Sequence, residues 1–198
     1  MKTLLNVGCG WSNISQIKGF DNDNWKEIRL DINNAVKPDI IGTLTDMSLI
    51  ETASVDAIYS SYNLDHIYAH EVPLALKEFY RVLNEDGFAV VRCPDIQTVC
   101  ELIAQDKYLE LLYESKIGPI YPIDVIYGNR GQIQNGNEYM AKKVGFTYSA
   151  LNASFAEAGF KSRYGGRFPL NGGELAMVAF KQKIPEEQIK QIADPLLF

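Results

Sequence analysis

The sequence predicts an α/β domain built on a doubly wound, mostly parallel sheet. Three observations carry that prediction: short β-prone runs alternate with amphipathic helical stretches, the first strand stops in a glycine turn, and the last two strands lie close together in sequence. At 198 residues the chain suits one domain with a full core, so residues 1–198 are read as a single unit.

Thr3-Leu4-Leu5-Asn6-Val7 is a β-prone run that ends at Gly8-Cys9-Gly10. The helix expected after this turn is poorly marked, because Gly19, Asp21, Asn22, Asp23 and Asn24 interrupt it. Strands are predicted at 27–31, 39–44 and 55–61. Over 69–83, Val72, Leu76, Phe79, Tyr80 and Leu83 recur at helical spacing and bury one face. Asn84-Glu85-Asp86-Gly87 stops that helix, and Phe88-Ala89-Val90-Val91-Arg92-Cys93 makes a fifth strand ending at Pro94. A second amphipathic helix is expected between 96 and 113. Over 118–145 the periodicity fades into Gly, Asn, Pro and Tyr, in a segment too long for an ordinary connection; such a segment reads as a lid, an acceptor-binding insertion or an interface. A helix over 149–158 is closed by Gly159. Strands near 161–167 and 175–181 are expected to form an antiparallel edge, followed by a polar helix over 186–193. The tail carrying Ile189, Ile192, Leu196 and Leu197 is expected to dock on the core or on another subunit, with the core preferred.

Composition narrows the function. Hydrophobic residues make up 46% and charged residues 22%, an ordinary globular balance. Lys+Arg 19 against Asp+Glu 25 gives a net charge of -6, which speaks against a large footprint for nucleic acid. Cys9, Cys93 and Cys100 are odd in number and lack a CxxC or Cys/His cluster, so no metal site is expected and reduced thiols in the cytoplasm are the simplest reading. The apolar run after Lys2 is broken by Asn6 and Gly8, short of a secretory leader, and no run approaches a membrane-spanning length.

In a doubly wound sheet, ligands sit outside the carboxyl ends of the strands, near the point where strand order switches. Gly8 and Gly10 allow a tight turn and close approach of backbone to a ligand. A dinucleotide fingerprint would place a third glycine at position 13, which is Asn13 here. Asp31, 21 positions after Gly10, can accept from both hydroxyls of a ribose. Asp46 with Met47 could serve an adenine amino group and ring. Singly, each acid also reads as a turn or cap residue.

Taken in order, Leu4-Leu5-Asn6-Val7-Gly8-Cys9-Gly10, Leu30-Asp31, Thr45-Asp46-Met47, Asp56-Ala57-Ile58-Tyr59-Ser60-Ser61 and Arg81-Val82-Leu83-Asn84-Glu85-Asp86-Gly87 resemble the motifs of class I S-adenosylmethionine-dependent methyltransferases, and the type 11 group in particular. Gly145-Phe146-Thr147 with Ala158-Gly159-Phe160 resembles the later helix of that group. The resemblance implies a Rossmann-like sheet, S-adenosylmethionine as donor and S-adenosylhomocysteine as product. It assigns Gly8, Cys9 and Gly10 to the methionine portion, Asp31 to the ribose, Asp46-Met47 to the adenine, and Ser61 with Tyr62 to the sulfonium, with Asn6 and Ile32 also among the cofactor-binding residues. Many relatives carry an acid where this chain has Asn6, and Asn supplies no charge to the donor's ammonium group.

Transfer of a methyl group is an in-line displacement that rewards alignment and needs no covalent enzyme nucleophile. For a hydroxyl acceptor a base helps, and His66, just after the fourth strand, is the candidate; it also reads as a helix-start residue. Tyr127, Arg130, Tyr139 and Lys143, in the 118–145 segment, mix aromatic surface with donors suited to a small-molecule acceptor; the same segment could be an oligomer contact, and a homo-oligomer is compatible with the sequence. Ser61-Tyr62-Asn63-Leu64 stands where nucleic-acid amino methyltransferases carry an Asn/Asp-Pro-Pro-Tyr sequence, which argues against base methylation. Two other functions stay open: an NAD-dependent oxidoreductase, opposed by Asn13, and a non-catalytic donor-binding or assembly protein with the same fold.

Overall fold

A computed structural model describes residues 1–115, 117–169 and 173–198. Its centre is a seven-stranded sheet of β1 (Lys2–Val7), β2 (Trp25–Asp31), β3 (Ile40–Ile41), β4 (Val55–Ser61), β5 (Leu83–Pro94), β8 (Ser162–Phe168) and β9 (Glu174–Phe180), in the order β3-β2-β1-β4-β5-β9-β8. The first five strands pair in parallel, and β9 runs antiparallel to both β5 and β8. This is the predicted Rossmann-like, mostly parallel sheet with an antiparallel edge pair.

Period-two alternation in the strands sends side chains to two packed layers. Leu5 and Val7 of β1, with Ile58 of β4, join the larger core under α1 (Val72–Val82) and α5 (Tyr148–Glu157). Val72, Ala75, Leu76, Phe79 and Val82 are all buried in α1, at the i, i+3, i+4, i+7 spacing of one helix face. Arg81 ties that helix to the β3–β4 connection, donating to the carbonyls of Met47 at 2.8 Å and Ile50 at 2.9 Å while pairing with Glu78. In α5, Thr147 caps the N-terminus by accepting from Ala150 N, and Leu151 and Phe155 fill the core.

Leu4 of β1 and Ala57 of β4 face the other way, into a second core with Phe20, Phe88, Val90, Val178 and three residues of α6 (Glu186–Leu197): Ala193, Leu196 and Leu197. Arg92, paired with buried Glu174, donates to the carbonyls of Leu196 and Leu197 and so closes the end of α6. The predicted docking of this tail on the core is what the structure has.

Several local expectations are corrected. No α-helix follows the glycine turn: Asn13 accepts from Ser15 N and starts only a 3-10 turn, Ile14–Gln16, because the Asn- and Asp-rich stretch beyond it offers side-chain alternatives to helical hydrogen bonds. The third strand shrinks to Ile40–Ile41. Residues 84–87 belong to β5 as a bulge, since Leu83 pairs with Val55 and Phe88 with Ala57, and Asn84 reaches back to Asp56 at 2.7 Å. The helix expected over 96–113 stops at Ile103 (α2, Ile96–Ile103), where Asp106 takes a left-handed φ of 61° and Lys107 N returns to Leu102 O. A small hairpin follows, β6 (Tyr113–Ser115) with β7 (Gly118–Ile120), and the 118–145 stretch then holds two short helices, α3 (Pro122–Tyr127) and α4 (Arg130–Gln134), plus a 3-10 turn at Glu138–Met140.

Candidate functional site

The sheet order reverses between β1 and β4, and the turns leaving these two strands face each other across the switch point. After β1, Gly8 N and Cys9 N both donate to Leu30 O, at 2.8 and 3.2 Å, which folds the turn over the end of β2. Gly8 (φ 65°) is required twice over: its conformation suits glycine, and a Cβ there would sit 2.0 Å from Asn63 Nδ2. Gly10 (φ 52°) has open space where its Cβ would be, so conformation alone selects it. Gly8→Ala is therefore expected to destabilise the fold by more than the ~1–2 kcal/mol of a left-handed residue, with displacement of the Asn63 side chain; chemical denaturation and the Asn63 amide resonances check both.

Asp31, at the end of β2 and 9% exposed, holds the turn from the other side. Its Oδ2 accepts from Gly10 N at 2.8 Å and its Oδ1 from Asn33 N at 2.8 Å. Arg29, two residues earlier, spreads its guanidinium over the carbonyls of Gly10, Ser12, Val36 and Lys37, at 2.7–3.3 Å. Arg29 is a site residue that the motifs do not mark; its one signal in the sequence is the two-residue spacing from Asp31 in one strand.

Between these turns lies a cavity of about 880 Å³. Gly8, Gly10, Asp31 and Ile32 border it from the first two strands, Tyr62 and Asn63 from the turn after β4, and Val36, Thr43, Leu44 and Thr45 from the connections on either side of β3. His66, Tyr68 and Glu71 continue the wall toward α1, and Asn137, Tyr139, Met140, Ala141 and Lys143 reach it from the 118–145 segment. Among the described lining residues Lys143 is the only Lys or Arg, and its Nζ sits 4.6 Å from the centre of the Tyr68 ring.

Eight of the predicted residues thus meet at one cavity: Gly8, Gly10, Asp31, Ile32, Tyr62, His66, Tyr139 and Lys143. The others lie elsewhere. Asn6 points to the opposite face of the sheet, where its amide donates to Glu27 at 2.8 Å. Cys9 is buried under the turn, and burial pushes its thiol up to about 11, which makes it a poor nucleophile. Asp46 is exposed and turns back onto Ser48 N, a contact that lowers its pKa. Met47 is a core residue whose amide donates to Glu78. Ser61 ends β4 outside the lining. Arg130 is held by Asp124 at 2.8 Å and lies over Tyr121, and Tyr127 is 61% exposed away from the cavity. In their place, Leu44 and Thr45 line the wall near β3, and Asn63 contributes an Nδ2 that is buried and has no hydrogen-bond partner among the described residues.

His66 rests on a 3-10 turn, Leu64–His66, and its Nδ1 lies 3.0 Å from Ala141 O. A carbonyl only accepts, so the neutral ring bonded there carries its proton on Nδ1 and its lone pair on Nε2. Among the described residues no group of three His, Cys, Asp or Glu is placed to hold a metal, and no helix is long and apolar enough to cross a membrane.

A sheet of this order with one reversed strand, and a glycine turn and an acid facing the switch point, is Rossmann-like. Residues 5–91 match the family model of a methyltransferase domain. No curated protein matches the chain. Among solved structures, the Burkholderia thailandensis 1,6-didemethyltoxoflavin-N1-methyltransferase, bound to 1,6-didemethyltoxoflavin and S-adenosylhomocysteine, is 14% identical with a TM-score of 0.59, over 92% of this chain and 72% of that one. A Methanosarcina mazei SAM-dependent methyltransferase is 14% identical with a TM-score of 0.58, over 92% and 93%. One from Archaeoglobus fulgidus is 12% identical with a TM-score of 0.59, over 90% and 85%. At these identities the solved structures bear on the fold alone.

Proposed function

We propose that this protein transfers a methyl group from S-adenosylmethionine to a small-molecule acceptor, releasing S-adenosylhomocysteine. The observation that carries the reading is the single cavity at the switch point, where the glycine turn, the Asp31 carboxylate and the unpartnered Asn63 amide meet residues of the 118–145 insertion. The residues present fit the donor: glycine backbone for the methionine portion, an acid for ribose hydroxyls, apolar Ile32, Val36 and Leu44 for a ring, and a buried amide donor for a carboxylate. When bound, the donor supplies an electrophilic methyl carbon on a sulfonium.

The chain's own residues do the rest. Asp31 fixes Gly10 and keeps lone pairs for hydroxyls. The expectation of an adenine contact at Asp46-Met47 moves to their neighbours Leu44 and Thr45, which are the lining residues. Residues 137–143 lie over the cavity as a lid that limits water, with Tyr139 and Lys143 toward the acceptor. His66, with its Nε2 lone pair, takes the proton of a hydroxyl acceptor as it attacks. His66→Gln is expected to lower the rate on such an acceptor about 10²–10⁴-fold while leaving S-adenosylhomocysteine affinity unchanged, checked by labelled-methyl transfer beside calorimetry.

The oxidoreductase alternative loses support from the same geometry. A pyrophosphate is received at the N-terminus of an α-helix after the glycine turn, and here that position holds a three-residue 3-10 turn. Calorimetric titration with S-adenosylmethionine, S-adenosylhomocysteine and NAD tests the reading, followed by transfer of labelled methyl to pools of small metabolites. Binding of the first two without NAD, and label in an acceptor, are expected. Binding of NAD alone overturns the assignment, and donor binding without transfer to any acceptor reduces it to a donor-binding protein.

A further inference from the structure

Residues 141–144 are joined to the residues around His66 by several contacts. Ala141 O lies 3.0 Å from His66 Nδ1. Lys143 N and Val144 N both donate to Asp65 O, at 2.9 and 3.3 Å. Lys143 Nζ lies over Tyr68. Between them, Lys142 sends its ammonium inward to Asp65 Oδ2 at 2.8 Å, with the two side chains only 12% and 2% exposed. On the outer side, Lys142 N donates to Tyr127 O at 3.2 Å, and Gly128 packs against Met140 and Ala141 so closely that a Cβ would meet Met140 O at 2.0 Å.

A buried ion pair adds little net stability, because desolvation offsets most of its attraction, but it fixes geometry when both partners are held. Here it joins the residue just before the histidine to the residue just after the carbonyl that the histidine contacts. Neither oxygen of Asp65 has a hydrogen-bond partner of good geometry among the described residues, so its close charged contact is the ion pair with Lys142, and Asp65 borders a small cavity with Ile96, Val125 and Val144. The carboxylate is therefore committed to Lys142.

We infer that Asp65 and Lys142 form a positioning pair: by anchoring the insertion they hold Ala141 O on His66 Nδ1, fix the ring as its Nδ1–H tautomer, and leave Nε2 as the base. This deepens the role proposed for His66 and rests on that reading. It also makes the insertion part of the catalytic apparatus, since a chain with the insertion displaced would present the wrong histidine nitrogen.

The protein has only two histidines, His66 and His70, so the test is clean. The full chain labelled with 15N-histidine is followed by long-range proton–nitrogen correlation at about pH 8.5, where ordinary imidazoles are neutral. Wild-type His66 is expected in the Nδ1–H form, with exposed His70 in the Nε2–H form that a free ring favours. In Lys142→Met, His66 is expected to move to the free pattern while the backbone spectrum of the sheet is retained, and Lys142→Arg is expected to restore the Nδ1–H form. Should Lys142→Met not fold, Lys142→Gln is read in its place, with the same expectation. A folded variant whose His66 keeps the Nδ1–H form overturns the positioning role, and a wild-type His66 found as Nε2–H overturns the tautomer itself. Neither readout needs donor or acceptor, so failure of the methyltransferase reading would show separately, as absent donor binding.

Discussion

Asp31→Ala is expected to weaken S-adenosylhomocysteine binding by at least about a hundredfold while the protein stays folded. The carboxylate has two tasks at one place. It locks Gly10 through a 2.8 Å bond from the backbone amide, and it stands at the cavity wall at the height of the glycine turn. Each hydrogen bond to a charged group contributes about 1.5–3 kcal/mol, so losing a ribose contact and the Gly10 anchor together exceeds the ~2.7 kcal/mol that corresponds to a hundredfold change in affinity. Asp31→Asn keeps the shape and one acceptor oxygen, and is expected to fall between Ala and wild type. Calorimetry gives the affinities, and a thermal melt separates a lost contact from a lost fold.

The largest effect on stability is expected from α6. Leu196→Ala with Leu197→Ala removes two buried side chains from the second core, and Leu196 also packs so closely on Gly19 that a Cβ there would lie 2.6 Å from it. Buried Leu→Ala changes remove about 2–5 kcal/mol each, and neighbouring sites do not add fully. Against a total stability of about 5–15 kcal/mol for a domain, the double variant is expected to be largely unfolded at physiological temperature. A melting curve unchanged by the double substitution would contradict the assignment of α6 as the cover of that face.

That dependence on α6 follows from what the first crossover lacks. The connection from β1 to β2 contains one 3-10 turn and gives the second core only Ile17 and Phe20 as buried residues, so the face above β1, β4 and β5 needs another apolar cover. The interruption by Gly19, Asp21, Asn22, Asp23 and Asn24 was legible as a failed helix. The docking of α6 was legible in its four apolar residues, but not the reason for it, which is the uncovered sheet.

The sheet itself was readable because its strands are short, apolar and punctuated by Gly, Pro and Asn, and because α1 keeps strict helical spacing. The insertion was readable only as a break in periodicity. Its helices are five or six residues long, too short for a periodic pattern to register, and they are set by Asp124 and Asn129 capping backbone amides.

For the site, the order of motifs brought together the glycine turn, Asp31, Tyr62 and His66, since each follows the carboxyl end of a strand. It misjudged residues whose direction depends on register. Asn6 falls on the far face by the alternation of β1, and the two-residue β3 leaves Asp46 and Met47 past the cavity while Leu44 and Thr45 line it. Arg130 was read as an acceptor contact, yet a buried acid six positions earlier holds it. Lys142 and Asp65 gave no sign, being 77 positions apart in sequence and joined only by the fold.

A crystal structure of the protein with S-adenosylhomocysteine is the decisive measurement for the proposed donor site. The product is expected in the cavity between the glycine turn and Asn63, with its ribose hydroxyls on Asp31, its base against Leu44 and Thr45, and its amino acid end at Gly8, Gly10 and Asn63. Product bound elsewhere, or in the cavity with its ribose away from Asp31, would overturn that site.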